Sequence, residues 1–125
     1  MIAFDTNYLV RHLVQDDPEQ CRVVAQALKE ARDESRAVLL TDLVLCETVW
    51  VLRRSYGATR EDVLTALQSL LDEPLFQFVN ADRLHSSVAS YAEGSADFAD
   101  YLILWEARKA GAELRTFDKV LGAEA

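Results

Sequence analysis

Short apolar runs of strand length alternate with longer segments of helical period along this chain. IAF near the N-terminus, AVLL at 37–40, LFQFV at 75–79 and ELRTF at 113–117 are the strand-like runs. Between them lie NYLVRHLV, a short helix, and a second helix opened by DDPEQ. There Asp17 can cap, Pro18 suits the first turn and Gln20 takes the third helical position. Val23, Val24, Ala27, Leu28 and Ala31 then recur at helical spacing. TDLVLCETVWVLRRSY predicts a nearly all-apolar helix ending near Gly57, and Thr59 caps TREDVLTALQSLL, which closes before Pro74. DRLHSSVASYA ends at Gly94, and ADFADYLILWEARKA is stopped by Gly111. No internal repeat, low-complexity stretch or linker interrupts the series.

This alternation predicts an α/β fold, a mostly parallel central sheet flanked by helices, within one domain over residues 1–125. Ligands of such sheets bind outside the carboxyl ends of the strands. Asp5 follows the first apolar run and Asp118 follows the fourth, so both are expected there. A carboxylate leaving a core strand is costly unless it is paired or holds a cation.

Composition changes the picture in two ways. Half of the 125 residues are hydrophobic, which excludes a disordered chain, and no apolar run reaches membrane-spanning length. The N-terminus has no basic region leading an apolar core, so a cytoplasmic protein is expected. Cys21 and Cys46 each lie in an apolar helical pattern and are expected to be buried thiols. The formal net charge of −8 argues against a nucleic-acid binder unless several acids converge on divalent cations.

The placement of those acids is the candidate chemistry. Glu47 shares a helix face with Leu43, Val44, Trp50, Val51 and Arg54, which puts it inside an apolar stripe, with pairing to an arginine as the plainer explanation. Asp97 and Asp100 share a face near a helix N-terminus. Acids there also complement the helix dipole, which accounts for Asp97 more readily than for Asp100 beside Phe98, Tyr101 and Leu102. A set comprising Asp5, Glu47, Asp97, Asp100 and Asp118 cannot share a pocket without cations or shifted pKa values. Oxygen ligands without Cys or His at metal spacing point to a hard ion, Mg²⁺ or Mn²⁺, which would assist water attack on a phosphodiester.

The blocks DTNYLV, LCETVWVL and ADFADYLILWEARKAGAELRTFD resemble, in order and spacing, the acidic motifs of PIN-domain ribonucleases of the VapC toxin type. The resemblance implies that Asp5, Glu47, Asp100 and Asp118 form the catalytic, metal-binding quartet and that Asp97 is an additional ligand. It further implies supporting roles for Thr6, Asn7 and Thr116. Mg²⁺- or Mn²⁺-dependent endonucleolytic cleavage of RNA, a homodimer and a cognate antitoxin are the remaining implications. Related toxins continue after TFD through an apolar stretch into a last strand, whereas here KVLGAEA follows.

Arg11, Arg54 and Arg60 are candidates for RNA contact, although Arg53 and Arg54 also suit the negative C-terminal end of a helix. Trp50 and Trp105 are expected in core or dimer packing rather than base stacking. Val63, Leu64, Leu67, Leu70 and Leu71 offer an apolar face for the homodimer. His12 and His85 lack ligand-spaced partners and are expected at the surface or at helix ends. Two rivals follow from the same acids. One is a phosphatase of the haloacid dehalogenase type with Asp5 as nucleophile, which would want a second aspartate where Asn7 stands. The other is a non-catalytic module holding a structural ion.

Overall fold

A computed structural model describes all 125 residues, Met1–Ala125, as two compact units, Met1–Val79 and Asn80–Ala125. The first unit holds β1 (Ile2–Ala3), α1 (Thr6–Leu13), α2 (Pro18–Asp33), β2 (Val38–Leu40), α3 (Asp42–Ser55), α4 (Arg60–Asp72) and β3 (Phe76–Phe78). The second holds α5 (Ala81–Glu93), α6 (Phe98–Lys109) and α7 (Lys119–Glu124).

The sheet is parallel, in the order β1-β2-β3, with Ile2 opposite Val38 and Val38 opposite Phe76. Val38 and Leu40 of the central strand are fully buried, as a parallel strand between helical layers requires. α1 packs on α2 and α3, and α3 on α4. The apolar face expected to pair two copies is used inside the chain: Val63, Leu67 and Leu70 are buried, and only Leu64 and Leu71 stay partly exposed.

Local chemistry explains where the helices begin. The side chains of Asp17, Thr41 and Asn80 accept hydrogen bonds from the amides of Gln20, Val44 and Arg83. Thr59 and Asp62 form a reciprocal capping box. Gln20 makes no such box; its Oε1 accepts from Arg11 Nε at 2.9 Å. In the second unit α5 packs on α6, and Tyr91 meets Phe98 edge to face at 6.0 Å.

ELRTF does not form the expected fourth strand. Residues 113–117 are irregular, and Phe117 is fully exposed. Only Leu114 and Phe117 of the run are apolar, too little to hold a strand against a sheet. Asp118 therefore leads from a loop into α7 rather than following a strand. The cysteines are free and only half-buried, and burial, with Asp42 adding to it, pushes the Cys46 thiol up to about 11.

His12 is half-buried against Phe76, ring centroids 5.6 Å apart. Burial lowers its pKa from 6.5, the Arg32 charge adds to this, and Glu73 opposes it. The folded chain therefore binds fewer protons than the unfolded one once pH drops below 6.5. Stability from the neutral ring is full above that value and is lost as pH falls through the lowered folded value. Thermal unfolding of His12→Gln should show a smaller drop in Tm than wild type between about pH 7.5 and 5.5. Equal drops would remove His12 as a source of acid sensitivity.

Candidate active site

In the first unit Asp5 ends the segment after β1 and caps α1. Its Oδ1 accepts from Tyr8 N at 3.0 Å, and its carbonyl accepts from Leu9 N at 3.1 Å. The neighbouring Phe4 is buried while the Asp5 carboxylate is exposed. Thr6 and Asn7 form the first turn of α1, the former half-buried and the latter exposed. Asp5, Asn7, Tyr8 and Arg11 line one side of a cleft of about 230 Å³, with Gln20, Val23 and Val24 on the other.

Glu47 lies on α3, the helix that packs on α1. The expected apolar stripe around it is not a buried one. Leu43, Glu47, Trp50 and Arg54 are all exposed, whereas Leu45, Thr48, Val49 and Leu52 form the buried face. α3 is apolar nearly all round, so periodicity alone did not mark which side meets the core. Glu47 thus meets solvent without a desolvation cost.

The candidate arginines differ among themselves. Arg11 is held in a network: its guanidinium donates to the Asp16 carboxylate and to Tyr56 Oη at 2.9 Å, and Tyr56 Oη donates to Asp16 at 2.8 Å. Arg54 lies over the Trp50 ring, 5.3 Å from its centroid. Arg60 is the first residue of α4, where a cation opposes the helix dipole.

In the second unit three acids come together around the start of α6. Asp97 is the N-cap, yet its side chain makes no capping hydrogen bond, so its carboxylate keeps its oxygens for another partner. Asp100, one turn on, is half-buried between Phe98 and the buried pair Tyr101 and Leu102. Burial raises the Asp100 pKa, backbone hydrogen bonding at Asp97 opposes this, and the charges of Asp97 and Asp118 raise it further. Asp118 caps α7, with Oδ1 accepting from Val120 N and Leu121 N at 2.9 Å each. Thr116 Oγ1 accepts from the Asp118 amide at 3.0 Å and so sets the loop that presents it.

Three residues given no role in the sequence analysis, Tyr101, Arg108 and Glu124, hold this arrangement. Tyr101 Oη donates to the Glu124 carboxylate at 2.7–2.9 Å and accepts from Ala96 N. Arg108 Nη2 donates to the Glu124 carbonyl at 2.6 Å. Together they tie α7 back to α6. Gly94 sits so close to Tyr101 Oη and Glu124 that a Cβ would have no room. No local pattern announces these contacts, because Tyr101 and Glu124 are 23 residues apart.

The donor set suits a hard divalent ion: carboxylate oxygens only, with Asp97 uncommitted and Asp100 already under the field of two like charges. No three such groups stand close enough to coordinate an ion in this structure.

A parallel three-stranded sheet flanked by helices defines an α/β fold. The PIN domain family model matches residues 2–123, and the chain belongs to that family. A VapC ribonuclease of Aquifex aeolicus (strain VF5) is 23% identical over 111 residues, covering 89% of this chain and 82% of that protein. No solved structure matches the chain. No helix is long and apolar enough to cross a membrane.

The raised pKa of Asp100 means that its charge destabilises the fold at neutral pH when no cation is present. Without divalent ions, Asp100→Asn should therefore melt at a higher temperature than wild type at pH 7. A lower Tm would show that hydrogen bonding by the carboxylate outweighs its burial and repulsion.

Proposed function

We propose that this PIN domain is a metal-dependent endoribonuclease toxin that hydrolyses RNA phosphodiesters and is neutralised by a cognate antitoxin. The observation that supports this most is the half-buried Asp100 facing the like charges of Asp97 and Asp118, within a chain that matches the PIN family almost end to end. The similarity to a VapC ribonuclease supports RNA as the substrate and an antitoxin as the partner. In this reading residues 1–125 act as one domain and associate as a homodimer, which light scattering would distinguish from the 14.1 kDa monomer.

Asp5, Glu47, Asp100 and Asp118 are assigned as catalytic ligands of Mg²⁺ or Mn²⁺, with Asp97 as a further ligand. When bound, such an ion supplies a Lewis-acid charge at the phosphodiester and makes water a better nucleophile. The chain's own residues do the rest. Asp5 and Asp118 are fixed by helix amides, so their positions cost no reorganisation as charge develops. Thr116 orients Asp118 through its amide. Thr6 and Asn7 flank Asp5 in the first turn, where a hydroxyl and an amide can hydrogen-bond substrate or water. Burial and the charges of Asp97 and Asp118 raise the pKa of Asp100, and a cation held there would favour its ionised, ligating form. Arg54 and Arg60 are assigned to phosphate contact, and Arg11 contributes through the network that stiffens the wall behind Asp5.

Asparagine caps helices about as well as aspartate, so Asp5→Asn and Asp118→Asn should leave the fold intact. Each of Asp5→Asn, Glu47→Gln, Asp100→Asn and Asp118→Asn should lower Mg²⁺-dependent cleavage of single-stranded RNA by about two orders of magnitude. Asp97→Asn should cost less, and chelation should abolish cleavage. Full activity in two or more of the first four variants would overturn the assignment.

A further inference from the structure

The exposed face of α3 carries a feature the catalytic assignment does not use. Trp50 is 59% exposed, although a tryptophan so placed in a mostly apolar helix would ordinarily be covered. The Arg54 guanidinium lies 5.3 Å from its ring centroid, a distance at which cation and π-face attract. This contact holds the indole from one side, and its exposure leaves ring surface open to a ligand. Glu47 is three residues before Trp50 on the same exposed face, hence its neighbour one turn away. Arg53, also exposed, adds a second cation and holds the helix end through Nη1 to the Ala58 carbonyl at 3.3 Å.

We infer that Trp50, steadied by Arg54, is a stacking platform for a base of single-stranded RNA next to the scissile phosphodiester. The inference rests on the nuclease reading above. Three observations favour a nucleic acid over a protein partner. The face alternates apolar and charged side chains, Leu43, Glu47, Trp50 and Arg54, rather than offering a continuous apolar patch. Its two arginines place positive charge beside an exposed aromatic ring in a chain of net charge −8, the combination that single-stranded nucleic acid selects. The platform also adjoins Glu47, so a stacked base would bring its own phosphate to the acid. Stacking reads no base edge, so weak sequence preference is expected.

The test is binding of a hydrolysis-resistant, 2′-O-methyl phosphorothioate single strand of mixed sequence, followed by fluorescence anisotropy with Mg²⁺ present. Trp50→Ala should weaken binding roughly ten-fold, while Trp50→Phe, which keeps a π-face, should stay within about two-fold of wild type. Trp50→Ala should leave the salt dependence unchanged, whereas Arg54→Gln should reduce the slope of log K against log salt by about 0.7. Undiminished binding by Trp50→Ala would overturn the platform. So would a loss confined to the oligomer mass in light scattering, which would give the face to a second copy of the chain. Because the probe is not cleaved, the two readings separate. Stacking behaviour without cleavage of natural RNA would remove the nuclease assignment and leave the platform. Cleavage with binding indifferent to Trp50 would do the reverse.

Discussion

Unpaired amides at helix N-termini are the constraint on which the acidic residues depend. The first turn of a helix leaves its N–H groups without internal acceptors and carries partial positive charge. Asp5, Asp97 and Asp118 are each an N-cap, and Asp100 lies in the first turn after Asp97. A carboxylate held in this way is oriented by the backbone and needs no buried cation of its own. The same device starts α2 at Asp17 and α4 at Thr59 and Asp62, so the caps that define the helices and three of the acids proposed for the chemistry obey one rule. What separates them is commitment. Asp5 and Asp118 accept amide hydrogen bonds, whereas Asp97 accepts none.

That difference shapes the second unit. With Asp97 uncommitted and Asp100 half-buried, the start of α6 concentrates negative charge where aromatic and aliphatic packing limits relaxation. The counterweight lies at the far end of the chain's last helix, where Tyr101 and Arg108 grip Glu124. Because α7 has only six residues, it could not persist on its own hydrogen bonds. Its docking fixes the loop from which Asp118 is presented. Repulsion around Asp100 is thus carried by packing and hydrogen bonding elsewhere in the same unit.

The first unit follows another logic. Glu47 is the one acid of the set in mid-helix, and it avoids the cost of burial by facing solvent beside Trp50 and Arg54. A helix apolar on nearly every side can bury only the part that meets its neighbours. α3 gives Leu45, Val49 and Leu52 to the core and leaves Leu43 and Trp50 exposed. Trp50 therefore stays exposed beside an acid and two arginines, outside the packing that holds α3 to the core.

Much of this was legible in the chain itself. Helix starts are local events, decided by one side chain and an amide three residues away, so Asp17 and Thr59 could be placed from sequence, whereas Asp118, expected after a strand, caps α7. The first three strands were legible for the same reason, since continuous apolar runs suit a parallel sheet covered on both faces. The acids stood out as polar positions against apolar runs, and their order and spacing carried the family resemblance. Tertiary structure alone decided which side of α3 is covered, that α4 turns its leucines inward, that residues 113–117 stay irregular, and that Tyr101 holds Glu124. Each of these depends on what a segment packs against, and hydrophobic period measures how apolar a face is without saying which neighbour will cover it.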